Sequence, residues 1–203
     1  DNPNERFPVV TVMLLLINVA VFLYELSLAD SAQVEFVYAA GFLPARLIGG
    51  EVPPGVELLP LPLTFISHMF IHGGWMHLIG NMWFLWIFGD NVEDRLGPLR
   101  FIGIYLAWGW VAAAAQMILG GDPSTPMVGA SGAIAGVLGA YAVLYPQARV
   151  HALFFLFIFI TRITIPAFIM LGLWFGVQFF SLSEAGVAWW AHIGGFVAGV
   201  GVA

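Results

Sequence analysis

Residues 129–145 read Gly129-Ala130-Ser131-Gly132-Ala133-Ile134-Ala135-Gly136-Val137-Leu138-Gly139-Ala140-Tyr141-Ala142-Val143-Leu144-Tyr145. No charged side chain interrupts the run, and Gly132, Gly136 and Gly139 share one helix face. A helix from Ser131 to Tyr145 rises about 21 Å at about 1.5 Å per residue. That is shorter than the roughly 30 Å hydrocarbon core of a bilayer. The stretch reads as a short membrane span whose first residue is a serine. With Pro146 and Arg149 held at the far surface, Ser131 lies about 9 Å below the near one.

The rest of the chain agrees with a membrane setting. Of its 203 residues, 61% are hydrophobic and 9% charged, against about 25% charged in an ordinary soluble domain. Mean hydropathy is +0.93, so the chain is an integral membrane protein. Six arginines, no lysine and twelve acids give a net charge of -6, which excludes a nucleic-acid binder. The absence of cysteine excludes disulfides, thiolate metal sites and cysteine nucleophiles.

Apolar runs predict spans over 7–24, 77–96, 99–118, 131–145, 163–180 and 186–203. Residues 1–203 are thus expected to form a single all-α membrane domain, a six-transmembrane-helix bundle with a short central fourth helix. Phe7–Tyr24 is too long for a cleaved signal and lacks its small-residue exit, so it reads as a retained helix. Residues 25–62 read as a long polar loop with prolines at 44, 53, 54, 60 and 62. Val150–Ile160 is apolar but too short to cross, and is expected to lie at the interface. Pro166 is expected to loosen the fifth helix and ease lateral substrate entry. The sequence stops inside the sixth span, so a continuing tail is expected.

Arg6, Arg95, Arg100, Arg149 and Arg162 fall on one side of these spans. Only Arg46 falls on the other, with Asp30, Glu35, Glu51 and Glu57. The positive-inside rule then puts both termini in the cytoplasm and the long first loop outside. A prokaryotic cell membrane is the expected setting. No internal repeat suggests an inverted-repeat transporter.

Polar side chains within spans are expensive and usually functional. Here they are His68, His72, His77, Asn81, Gln116, Ser131, Gln178 and His192. His192 lies eight residues beyond Glu184, which puts it about 12 Å deep if Glu184 stays at the interface. Serine and histidine therefore sit at similar depth, toward the outside. Glycines at 132 and 136, and at 195 and 199, have the small-xxx-small spacing that lets two helices touch. Serine needs a base within hydrogen-bond reach to act as a nucleophile. No carboxylate falls within the fourth or sixth span, so a two-residue dyad is implied rather than a triad. Ser131 would start a helix, where free N–H groups favour a developing oxyanion.

The histidine cluster has three readings: interhelical hydrogen bonding, a metal site, or side-chain donors to the oxyanion from His77 and Asn81. Those two are four residues apart on one face. No His-Glu-x-x-His motif is present and no carboxylate is close, so no metal or other cofactor is expected.

Taken together, these motifs resemble the rhomboid intramembrane serine proteases. The residues that carry the likeness are Gly129-Ala130-Ser131-Gly132, Ala191-His192-Ile193-Gly194-Gly195 through Gly199, and His72 through Asn81, with Phe88-Gly89, Val92-Glu93, Leu96-Gly97 and Arg100-Phe101 between spans two and three. The resemblance implies Ser131 as nucleophile and His192 as general base. It implies His77, Asn81 and the Ser131 amide as the oxyanion hole, shaped by Gly129, and His72 as a support for the first loop. The implied substrates are single-pass membrane proteins in the lipid bilayer, cut in or beside a locally unstable helix. Residues 181–187 would form a lid. Two departures stand out. Leu63-Thr64 replaces the Trp-Arg of many members, and Ala135 replaces a tyrosine that stacks on the base, a task left to Trp189 or Trp190. The competing classes are a non-catalytic module that binds membrane helices and a histidine-lined transporter.

Overall fold

A computed structural model describes residues 5–120, 122–156, 159–180 and 188–202, with side chains described outside 152–162 and 177–180. Helix α1 spans Val9–Ser27. The chain continues through α2 (Asp30–Ala40), α3 (Ala45–Ile48) and α4 (Leu61–Ser67), which tightens into a 3₁₀ turn at His68–Phe70. A long rod follows, made of α5 (Trp75–Phe84), a π-helical stretch at Leu85–Gly89 and α6 (Asp90–Leu96). Helix α7 is Pro98–Leu119 and α8 is Ser131–Leu144. Strands β1 (Arg149–Leu156) and β2 (Phe159–Pro166) precede α9 (Ala167–Phe180) and α10 (Trp189–Val202).

Three expectations change. Residues 25–62 are not a plain polar loop, because they form α2 and α3 and the buried Ala40, Phe42, Leu43 and Ala45 fold the segment back onto the bundle. The segment expected to lie flat at the interface is an antiparallel hairpin, in register from Arg149↔Pro166 to Leu156↔Phe159. Its β-branched and aromatic residues favour strands, and they take the first four residues assigned to the fifth span. Pro166 therefore ends β2 instead of lying inside α9, where it cannot kink the helix. The expected lid, residues 181–187, lies outside the described residues.

Helix α8 is the axis of the bundle. Every residue from Gly132 to Tyr141 is buried, as expected of a helix apolar all round. Helices α7 and α10 pack closely on it. A Cβ at Gly195 would collide with the Gly132 carbonyl, and one at Gly199 with the Gly136 carbonyl. Gly139 faces the Phe196 carbonyl in the same way, and the Trp108 ring covers Gly136. The outer surface carries Leu16, Leu99, Ile118 and Val197, all more than 60% exposed. An apolar exterior of this kind faces lipid.

The N-terminus of α1 has no side-chain cap of its own. The carboxylate of Glu93, on α6 and 3% exposed, supplies one. It accepts from the N–H groups of Val10 and Thr11 at 2.9 and 2.7 Å, and from the Thr11 hydroxyl at 2.8 Å. Asp94 accepts from Glu5 and Arg6 alongside. Replacing Glu93 by Ala leaves three buried donors unpaired, at about 1–3 kcal/mol each. The expected loss is roughly 3 kcal/mol or more, read as a lowered Tm in detergent. Glu93→Gln keeps one acceptor oxygen and should lose less.

Candidate active site

Helix α8 begins at Ser131 because the chain turns sharply just before it. Gly129 has φ of 114°, in the region that favours glycine. Its N–H donates to the His68 carbonyl at 2.8 Å. The approach strand is pinned further by the bridge between Phe42 and Met127, with bonds of 3.0 and 2.8 Å. The long first segment thus helps to fix the serine loop. Ser131 holds the first helical position, where its N–H has no intrahelical acceptor.

On α10, His192 is 4% exposed, and its Nε2 lies 2.8 Å from Ser131 Oγ. The close α8–α10 contact through the glycines creates this distance. Gln116 of α7 accepts from the Ala191 N–H at 3.2 Å and fixes the start of α10 one residue before the base. His192 Nδ1 has no hydrogen-bond partner among the described residues. Trp174 of α9 packs a ring against the imidazole, with centroids 5.3 Å apart and planes at 55°. The Trp190 indole instead meets Gly120.

His77 and Asn81 come to the same place from α5. A Cβ at Gly129 would lie 2.7 Å from His77 Cε1 and Nε2, and 3.8 Å from Asn81 Nδ2. The Gly73 N–H donates to His77 Nδ1 at 3.3 Å. A nitrogen that accepts carries no proton, so the neutral ring has its N–H on Nε2, next to Gly129 and the serine loop. Asn81 Nδ2 is buried and has no partner among the described residues. Two donors therefore converge beside Ser131. A cavity of about 20 Å³, lined in part by His68, Gly129 and Ser131, adjoins it. That is room for one water molecule.

His72 lies one shell away. Its N–H donates to Glu25 Oε2 at 3.2 Å, and its ring packs edge-on to His77 at 5.0 Å. It ties the turn before α5 to the end of α1. His68 is the histidine that meets the first segment, through Phe42 at 5.9 Å, and Phe42 also packs on Phe65 at 4.7 Å. This aromatic contact anchors the segment where Leu63-Thr64 departs from Trp-Arg. Sequence reading missed Glu25, Trp174 and the carbonyl of His68. None carries a motif, although a lone acid at the end of an apolar helix is itself a signal. Among the described residues no group of three or more His, Asp or Glu side chains is arranged to hold a metal.

A membrane-embedded helical bundle that pairs a serine with a histidine beneath one end defines the class of protein. Compared with known families, residues 62–203 match the Rhomboid domain. The chain belongs to the rhomboid family. It is 30% identical over 155 residues to the human mitochondrial presenilin-associated rhomboid-like protein, covering 72% of this chain and 38% of that protein. It is 37% identical over 134 residues to rhomboid protease GluP of Bacillus subtilis, covering 66% and 24%. It is 32% identical over 96 residues to mitochondrial rhomboid protein 1 of Saccharomyces cerevisiae, covering 43% and 27%. The chain spans less than two fifths of the length of these relatives. The family makes it a polytopic integral membrane protein. Two of the three names are mitochondrial, so they lend no support to a prokaryotic cell membrane in particular.

Proposed function

We propose that this protein is an intramembrane serine endopeptidase whose dyad is Ser131 and His192. It hydrolyses a peptide bond in or next to the transmembrane segment of single-pass membrane proteins. The observation that carries this reading is the 2.8 Å contact between Ser131 Oγ and His192 Nε2. Residues 1–203 are read as one rhomboid-type domain of six membrane spans, with the arginine-rich end and both termini in the cytoplasm.

In this reading His192 Nε2 takes the proton of the Ser131 hydroxyl as Oγ attacks the scissile carbonyl. The oxyanion forms beside His77 Nε2–H, Asn81 Nδ2–H and the Ser131 N–H. The imidazolium then returns its proton to the leaving amine, and an acyl ester remains on Ser131. A water molecule deprotonated by the same histidine cleaves the ester and regenerates the pair. A helix hides its carbonyls in hydrogen bonds, so the preferred substrate segment unwinds cheaply.

Labelling by a serine-directed fluorophosphonate tests the reading. The adduct is expected on Ser131 and should vanish in both Ser131→Ala and His192→Ala. Cleavage of a bilayer-embedded single-pass substrate should disappear with it. A Ser131→Ala protein that still cleaves at full rate would refute the assignment. Absent labelling with retained substrate binding would support a non-catalytic helix-binding module. An activity that needs the histidines and not Ser131 would support a transporter.

A further inference from the structure

A histidine base must be held in one rotamer and one tautomer, and a carboxylate on its second nitrogen is the common device. Here that device is missing among the described residues, because His192 Nδ1 has no partner. Helix α8 cannot supply a ring either. Ala135, one turn past Ser131, is fully buried and lies 3.2 Å from where a Cβ on Gly195 would stand. The glycine contacts that bring Ser131 to His192 press α8 against α10 at the level of Ala135. The Trp174 indole packs on the imidazole, 5.3 Å away centroid to centroid. Trp174 is itself braced by Phe84 of α5 at 6.0 Å and by Phe175 at 5.1 Å. Phe175 in turn packs edge-on to Phe196 of α10 at 4.6 Å. An aromatic bracket thus runs from α5 across α9 to the helix that carries the base.

We propose that Trp174 is a positioning residue for His192, its indole confining the imidazole to the rotamer that reaches Ser131. The confinement is steric and comes from a helix other than those bearing the dyad. The geometry of the base therefore depends on where α9 sits. The inference rests on the endopeptidase reading for its kinetic consequence and on geometry alone for its structural one.

The test compares Trp174→Leu with Trp174→Phe in the full chain. Trp174→Leu is expected to slow cleavage and Ser131 labelling by about tenfold to a hundredfold, the scale of a catalytic group displaced by about 1 Å. The loss should fall in kcat, with KM within about twofold, because an idle base weakens the chemical step and not substrate binding. Trp174→Phe keeps a ring and should recover most of the rate, even if both variants melt at the same lowered temperature. Imidazole ¹⁵N spectra, with His192 assigned by its loss in His192→Ala, give a second readout that needs no activity. The His192 signal should shift and broaden in Trp174→Leu and stay near its native position in Trp174→Phe. An unchanged signal, or a Phe variant as slow as the Leu variant, would overturn the proposal. If the unmodified protein shows no Ser131-dependent labelling, the endopeptidase reading fails, and the spectra still decide whether Trp174 holds the ring.

Discussion

Ser131→Ala and His192→Ala are each expected to lower kcat/KM by about four orders of magnitude or more, and the double variant should be no worse than either single one. In the proposed mechanism the two residues act as one unit: without the base the hydroxyl is a poor nucleophile, and without the hydroxyl the base has nothing to activate. Groups that act together in this way give grossly non-additive losses. Four orders correspond to about 5.4 kcal/mol of transition-state stabilisation. The 2.8 Å contact predicts this coupling, and the absence of a carboxylate partner among the described residues means that no third member softens it. The measurement is single-turnover cleavage of a reconstituted single-pass substrate, with Tm recorded for each variant. Removing one hydroxyl from Ser131 creates little cavity, so Ser131→Ala should melt close to the native protein. Single variants whose losses multiply in the double would mean that the two residues act in separate steps, and the dyad would fall.

The Ser131–His192 pair was legible in the sequence because depth in a bilayer is a counting problem. Charged residues fix the surfaces, and about 1.5 Å per residue fixes what lies between. Ser131 and His192 are brought together by that count and by the glycine spacing; the two side chains meet at 2.8 Å and the glycines make the helix contact, while Glu184, from which the depth of His192 is counted, lies outside the described residues. His77 and Asn81 were legible as a helix-face pair, and they converge on Gly129. What escaped the sequence was set by tertiary contact. The Trp174 ring reaches His192 from α9, eighteen residues away along the chain, while the reading by proximity favoured Trp189 or Trp190. Glu93 caps a helix more than eighty residues before it. The hairpin at 149–166 escaped because a short apolar run looks the same as strand or as helix until its partner strand is known. The first loop escaped for a related reason. Its prolines signal breaks, and they hid the two apolar residues, Phe42 and Leu43, that dock it beside the serine.

Asn81 offers the other large effect, and one with an unusual sign in stability. Its Nδ2 is buried without a partner among the described residues, and an unpaired buried donor costs about 1–3 kcal/mol. Such a cost is repaid only when an acceptor arrives. Asn81→Leu keeps the branched skeleton and removes the orphaned donor, so it should melt no lower than the native protein. It should nonetheless lose about a hundredfold to a thousandfold in kcat, the usual effect of deleting one oxyanion donor. KM should barely move, because the donor meets charge that exists only in the transition state. Asn81→Asp should be slower still, since a carboxylate beside Gly129 opposes the developing negative charge. His77→Ala is expected to lose a similar factor, with a larger effect on folding, because its ring also receives the Gly73 N–H and packs on His72. Rates and melting curves for the three variants, taken under one set of conditions, separate the possibilities. If Asn81→Leu is destabilised and fully active, the amide is structural and the oxyanion is stabilised elsewhere. If it is stable and slow, the donor is held in readiness for the reaction.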